Sequence, residues 1–396
     1  MNLLHDIKVI FYAIIIFQCL FFSIYLLTQA NARRRNNVWL AAFLLAVLIT
    51  AAGGFIGHFQ EIRAAAAASA PWLFYVDTPF AFLYIPLLYM YILSLTRDEF
   101  RLRRRHLMHA GAFILVALAV GLKIGMTSRE TLLAALRQAT PFRLWEQSVL
   151  IYLADIQFFG YSVAALLALK VYRKTIKDLY SSIERINLSW LNYVLVGFIG
   201  WRSLRVVEYS LWLAGKTNAS IPLYITSQIV FLVFVSLMFF KGMKQPVIFL
   251  GEDSPKARRK YEKTLLPEVL RTEYRVRLVR FMEEKKPFLS PLISLPELAS
   301  QVKIPAHHLS QVLNTCFGQN FFDFINAYRI RESQRLLTTS NGRERTVLDI
   351  LYETGFNSKS VFNAAFKKYT GLTPSQFKRR PSRPVEVGER NGLPPA

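Results

Sequence analysis

The sequence predicts an all-α chain: a seven-helix transmembrane bundle followed by a soluble all-α domain with two helix-turn-helix units. Three observations predict it. Seven apolar runs recur between Val9 and Phe240, the composition changes abruptly after Phe240, and one capped-helix pattern occurs twice in the basic remainder. The 396 residues carry a formal net charge of +23 and are 53% hydrophobic, with only 19% charged. A soluble average is about 25% charged, so one uniform domain does not account for this balance. With 31 Phe, 18 Tyr and 6 Trp, the chain has ample apolar surface to order most of its length. Its two cysteines, Cys19 and Cys316, exclude a disulfide scaffold and lend no support to a thiolate zinc site.

The apolar runs are Val9–Leu27, Val38–Ile56, Pro71–Leu95, Leu107–Leu122, Val149–Leu169, Leu188–Ala214 and Pro222–Phe240. A hydrocarbon core about 30 Å thick needs roughly 20 helical residues, so most are long enough to span. Leu107–Leu122 is the shortest, and Gly53 and Gly54 weaken the second run. Pro79 and Pro86 imply a kinked third helix. Ala30-Asn31-Ala32 has the small-residue spacing of a signal cleavage site. The run before it is long and Arg33, Arg34 and Arg35 follow at once, so the first helix is expected to be retained.

Alternate loops are basic: Arg33–Arg35, then Arg97 with Arg101 and Arg103–Arg105, then Lys170, Arg173, Lys174, Lys177 and Arg185. Short cytoplasmic loops are enriched in Lys and Arg, which puts the N-terminus outside and everything after Lys241 in the cytoplasm. The mixed loop Lys123–Ser148 fits this pattern less well. Within the spans lie Asp77, Asp155, Arg202, Arg205 and Glu208, with Gln228 nearby. Ionisable groups are costly in hydrocarbon. Two readings stand: a polar pocket that receives an unknown small-molecule signal, or salt bridges that fix helix packing.

From Lys241 onward, 27 Lys or Arg face 15 Asp or Glu, about half of the whole surplus. Ser294-Leu295-Pro296-Glu297 is a capping box that opens a helix over Leu295–Val302. Lys303-Ile304 turns into a second helix, Pro305–Cys316, ended by Gly318. The pattern recurs: Val347, Ile350 and Leu351 on one helix, Gly355-Phe356-Asn357 as the turn, and Ser358 capping a helix with Phe362, Ala365 and Phe366. The amphipathic stretch Phe321–Thr338 separates the two. In a helix-turn-helix the second helix can enter a DNA major groove. The organisation expected is therefore residues 1–244 as a transmembrane sensor, 245–286 as linker and coupling helix, 287–380 as a DNA-binding domain, and 381–396 as a disordered tail.

Leu309–Asn314 (LSQVLN), Asn320–Ile330 (NFFDFINAYRI), Arg335–Leu337 (RLL) and Gly355–Phe377 (GFNSKSVFNAAFKKYTGLTPSQF) carry a family likeness. Residues 287–380 resemble the DNA-binding domain of AraC-type bacterial transcription regulators, and the whole chain resembles the subset tethered to a multi-span membrane sensor. The resemblance implies a protein of the bacterial inner membrane that binds double-stranded DNA at tandem half-sites, as a possible homodimer, and recruits RNA polymerase. Two departures stand out. Pro305 replaces the usual Ser cap of the first recognition helix, and Leu351 replaces a small Ala.

On the first recognition helix His307, Ser310, Gln311 and Asn314 are expected to face outward; by resemblance the first three match base-facing positions. Gln and Asn can pair bidentately with adenine. On the second, Lys359, Ser360 and Asn363 face outward, and Lys367 and Lys368 are placed for phosphates. The alternative for each is an ordinary solvated face. His307 and His308 point about 100° apart and do not form a metal site. No catalytic motif is present and no cofactor is called for. The alternative function is a transporter-like membrane sensor whose soluble tail reports substrate flux; it would call for inverted repeats or broken helices.

Overall fold

A computed structural model describes residues 3–28, 34–97, 100, 102–128, 130, 131, 133, 144–184, 186–244, 266–338 and 345–379. The expected tail, 381–396, lies outside the described residues, as does the first half of the expected linker, 245–265. The chain divides into two compact units: residues 1–170 with 188–248, and residues 171–187 with 249–396.

The first unit contains α1 (Leu3–Thr28), α2 (Arg34–His58), α3 (Gln60–Ser69), α4 (Asp77–Phe80), α5 (Tyr84–Thr96), α6 (Arg104–Leu107) and α7 (Gly111–Met126). It continues with most of α8 (Leu144–Leu179), then α9 (Ser189–Leu213) and α10 (Thr217–Lys244). Apolar side chains dominate these helices, so α1 packs on α2, α2 on α5, and α9 on α10. Phe22 of α1 stacks on Phe239 of α10 with ring centroids 3.7 Å apart. The prolines of the third run do more than kink it. A 3-10 turn over Pro71–Tyr75 precedes α4, and residues 81–83 separate α4 from α5. Proline withholds an N–H and clashes with the preceding turn. One carbonyl at this break, that of Phe82, accepts a bond from Gln157 Nε2 at 3.1 Å.

Six helical segments among the described residues are long and apolar enough to cross a membrane: 7–28, 36–57, 71–96, 104–126, 146–179 and 217–241. The expected count of seven is corrected to six by that standard. The one that drops out is Leu188–Ala214. Its helix, α9, is 25 residues long, but Arg202, Arg205 and Glu208 lie within one short stretch of it. Length survives; apolarity does not.

The second unit contains α11 (Glu268–Lys285), α12 (Leu295–Val302), α13 (Ala306–Cys316), α14 (Phe321–Thr338), α15 (Val347–Glu353), α16 (Lys359–Thr370) and α17 (Pro374–Lys378). Its buried side chains form two clusters, one behind each helix-turn-helix. The first gathers Leu298, Val302, Leu309, Val312 and Leu313 around Phe321, Phe324, Ile325 and Tyr328 of α14. The second gathers Ile350, Leu351, Phe356, Phe362 and Phe366 around Ala327, Ile330 and Leu337 of the same helix. Thus α14 is buried on two faces and holds the motifs apart as a shared wall. Leu278 and Met282 of α11, each 0% exposed, belong to the first cluster. The helix read as a coupling element is therefore also a core element.

Reciprocal side-chain caps open three helices of this unit. Ser294 Oγ accepts the Glu297 N–H and Glu297 returns to the Ser294 N–H, both at 3.4 Å. Thr346 and Asp349 make the same reciprocal box for α15, and Thr373 with Gln376 for α17. The turn of the first motif is less comfortable, because Lys303 sits in the left-handed region at φ +55°. A Cβ there costs about 1–2 kcal/mol. Lys303→Gly is expected to stabilise the second unit by about 1 kcal/mol, seen as slower hydrogen exchange of α12 and α13 in the full chain.

Candidate nucleic-acid interface and polar cavity

Burial sorts the expected DNA-contacting residues. On α13, Leu309, Val312 and Leu313 turn inward at 0–1% exposure, and the remaining arc is left for His307, Gln311 and Asn314. His307 and Gln311 are half-buried and Asn314 is exposed. Ser310 is buried at 8%, so its expected outward placement is corrected. It lies beside Leu309 on the edge of the apolar stripe, and its carbonyl accepts the Asn314 side-chain N–H at 2.8 Å. On α16, Phe362, Phe366 and Tyr369 turn inward. Lys359, Ser360, Lys367 and Lys368 are exposed and Asn363 is half-buried.

Three contacts were not legible in the sequence. Gln311 Oε1 accepts the backbone N–H of Leu266 at 3.2 Å, so one end of this amide is held by the segment leading into α11. Lys368 Nζ bonds Asp323 Oδ1 of α14 at 2.8 Å, while Tyr369 donates to the Asp323 carbonyl at 3.0 Å. Lys368 therefore ties the second recognition helix to the wall helix, and Lys367 is the freer of the two for a phosphate. His308 lies over Tyr274 with ring centroids 5.8 Å apart, and burial lowers its pKa below the ordinary histidine value. It is neutral at pH 7 and belongs to the α11–α13 packing, not to an outward face.

Gly355 makes the second turn at φ +85°. A Cβ there would stand 2.7 Å from the Leu289 carbonyl oxygen and 2.8 Å from that of Phe288. Next to that contact lies Arg329, 1% exposed. Its Nε donates to the Phe288 carbonyl and its Nη2 to the Ser290 carbonyl, each at 2.8 Å. Burial pushes this guanidinium down to about 10, still charged at neutral pH. The wall helix, the turn before α12 and the turn before α16 thus meet at one joint.

In the first unit a cavity of about 280 Å³ is lined by Asp77, Asp155, Arg202 and Arg205 among apolar neighbours such as Phe74 and Ile151. Arg202 pairs with Asp155, and Arg205 donates to Glu208 Oε2 at 2.8 Å. A Cβ at Gly53 would overlap the Asp77 carboxyl group, so this glycine gives Asp77 its room. Four of the six residues expected in a sensing pocket come together. Glu208 and Gln228 are not part of the lining; Gln228 is buried against the Tyr224 hydroxyl at 3.2 Å.

The helix pairs match a known family from within α12 onward: residues 298–380 fit the family model described as "Helix-turn-helix domain". This region is similar to the helix-turn-helix domains of that family. Similar regions occur in an uncharacterized HTH-type transcriptional regulator of Staphylococcus aureus (strain COL), 34% identical over 86 residues, 22% of this chain and 11% of that protein. The melibiose operon regulatory protein of Escherichia coli (strain K12) is 28% identical over 87 residues, 22% of this chain and 28% of its own. The similarity therefore spans a small part of each relative. No solved structure gives a significant match. The matched segment begins inside α12 and leaves out α11, whose Leu278 and Met282 complete the first core. The helix-turn-helix domain is thus built on more chain than the match covers.

Proposed function

We propose that this protein is a membrane-bound one-component transcription regulator that reads specific double-stranded DNA through two helix-turn-helix units, under control of a signal sensed by the membrane unit. The observation that carries the proposal is the pairing, in one chain, of six membrane-length apolar helices with two helix-turn-helix motifs that share one buried wall helix. Each motif offers a major-groove helix with polar or cationic residues outward. His307, Gln311, Asn314, Ser360 and Asn363 are the proposed base readers, and Lys359 and Lys367 the phosphate contacts. Two motifs on one support bind adjacent half-sites with one entropic cost, so each can be weak alone. RNA polymerase and a second copy of the chain are proposed partners through the family likeness.

The basic loops support an N-terminus outside and a DNA reader in the cytoplasm of a bacterial inner membrane, a topology that takes the 25-residue α9 as a seventh crossing, with Arg202 and Arg205 turned to the cavity. The cavity among Asp77, Asp155, Arg202 and Arg205 is the proposed receptor for a small molecule. Its two ion pairs are the element a ligand would rearrange, and only a ligand that favours one packing over the other shifts the equilibrium.

Genome-wide footprinting of the full chain, recovered with the membrane fraction, tests this reading. Protection is expected at paired half-sites. Gln311→Ala or Asn363→Ala should relax preference by roughly 1–3 kcal/mol at one base position in one half-site, while Lys359→Ala should weaken all sites alike. Absence of protected sites, or a protein that stays in the supernatant without detergent, overturns it.

A further inference from the structure

Residues 171–187 lie, in the sequence, between two apolar runs, yet they fold with the DNA reader. α8 carries Asp155 in the first unit and crosses into the second at Val171. Within the second unit, Leu179 packs against the first core cluster, and Lys177 Nζ lies 5.9 Å from the centre of the Phe322 ring. Tyr180 forms an isolated antiparallel bridge with Ser294, the cap of α12. Ser181, 2% exposed, donates from its N–H to the Ile293 carbonyl at 3.3 Å and from Oγ to the same oxygen at 2.7 Å. Arg329 donates from Nη1 to the Ser181 carbonyl and from Nη2 to Ser181 Oγ, each at 3.3 Å. Asn357, in the turn of the second motif, reaches Ser182 Oγ at 3.5 Å. The Tyr172 hydroxyl donates to the Ile186 carbonyl at 2.8 Å and closes the segment on itself.

We infer that residues 171–187 are a docking strap that locks the two helix-turn-helix units into one DNA-competent arrangement, and that its release is the step by which a signal lowers DNA affinity. This rests on the DNA-reading proposal above and goes beyond it. The strap touches the cap of the first motif, the wall helix and the turn of the second, so it braces all three parts whose relative placement sets half-site spacing. None of these contacts uses the outward residues of α13 or α16, so the docked strap leaves both recognition faces open. Docking therefore favours binding. Release leaves each motif its own apolar cluster, since Leu179 only borders the first, while the brace between them is lost. Two loosely coupled motifs keep their individual contacts but lose the avidity of a fixed pair.

The test uses the full chain in native membranes. Ser181→Pro removes the N–H and the hydroxyl that bind Ile293, and Ser181→Ala removes the hydroxyl alone. Ser182→Cys with Asn357→Cys, in a Cys19→Ala and Cys316→Ser background, creates a strap that oxidation can lock. For Ser181→Pro, hydrogen exchange across 288–294 and 326–333 is expected to speed at least tenfold, with α13 and α16 still protected. Retention of genomic DNA fragments should fall about 10–100-fold. Ser181→Ala should fall between this variant and wild type. Adding the cysteine pair to Ser181→Pro should restore retention when oxidised and lose it again in dithiothreitol. Unchanged exchange in Ser181→Pro overturns the docking. Faster exchange with unchanged DNA retention overturns the link to DNA affinity. If the wild type retains no DNA, the DNA-reading proposal fails, and exchange alone still decides whether the strap docks.

Discussion

Arg329→Met should destabilise the second unit by about 3 kcal/mol or more, because it strips several buried carbonyls of a charge-assisted donor at once. Arg329 is 1% exposed and its donors serve the carbonyls of Phe288, Ser290, Pro291 and Ser181. Methionine fills much of the same space but donates nothing, so these buried acceptors lose a charge-assisted partner, each bond worth about 1.5–3 kcal/mol. Arg329→Lys should recover only part of the loss. An ammonium is a point charge without the planar fork that reaches both sides at once. Hydrogen exchange of α14 in the full chain measures both variants. Protection equal to wild type in Arg329→Met would show that the guanidinium does not hold this joint.

Gly355→Ala attacks the same joint from the opposite side and should cost about 3 kcal/mol or more. At φ +85° an L side chain is strained by about 1–2 kcal/mol before any contact is considered. The added Cβ then meets two backbone oxygens, those of Leu289 and Phe288, under 3.0 Å. Backbone atoms cannot rotate away, so the turn before α16 must shift, and overpacking of this kind adds about 1–3 kcal/mol. A loss of DNA retention together with faster exchange in α15 and α16 is the expected result. Gly318→Ala is the internal control. It shares the positive φ of +63°, but a Cβ there would have open space around it, so its cost should stay near the strain alone.

The wall helix explains why two weak sequence patterns make one reader. Phe324 and Tyr328 face one cluster while Ala327 and Ile330 face the other, so neither motif can repack without disturbing α14. The periodicity of Phe321–Thr338 showed an amphipathic helix with one apolar face. It did not show burial on two, because Asn326, Arg329 and Ser333 interrupt the pattern as polar letters. All three are buried at 0–1%. Arg329 satisfies backbone carbonyls, and Ser333 Oγ bonds Arg329 O at 2.7 Å and Thr354 Oγ1 at 3.0 Å. A polar residue in sequence looks solvated until its partner is known.

The membrane unit shows the same limit. Pairing of the intramembrane charges was legible as a near balance of carboxylates and guanidiniums, but the partners were not. Arg202 takes Asp155 from α8, Arg205 takes Glu208 from its own helix, and Asp77 lies on the cavity wall near Gly53. One helical repeat separates Arg205 from Glu208, so local spacing could find that pair. Arg202 and Asp155 are 47 residues apart, and only packing brings them together.

What the amino-acid order alone determined is whatever neighbours can decide: the all-α class, most of the apolar segments, the capping boxes at Ser294 and the Ser358 cap, and the positive-φ turn at Gly355. These depend on interactions across three or four residues, where spacing and chemistry suffice. Tertiary structure decided the rest. It turned Ser310 inward, set Leu266 on Gln311, gave Lys368 to Asp323, and recruited residues 171–187 to a guanidinium 148 positions away in the chain. Such contacts form because buried donors and acceptors must find partners wherever the packed chain brings them, and no local period records where that is.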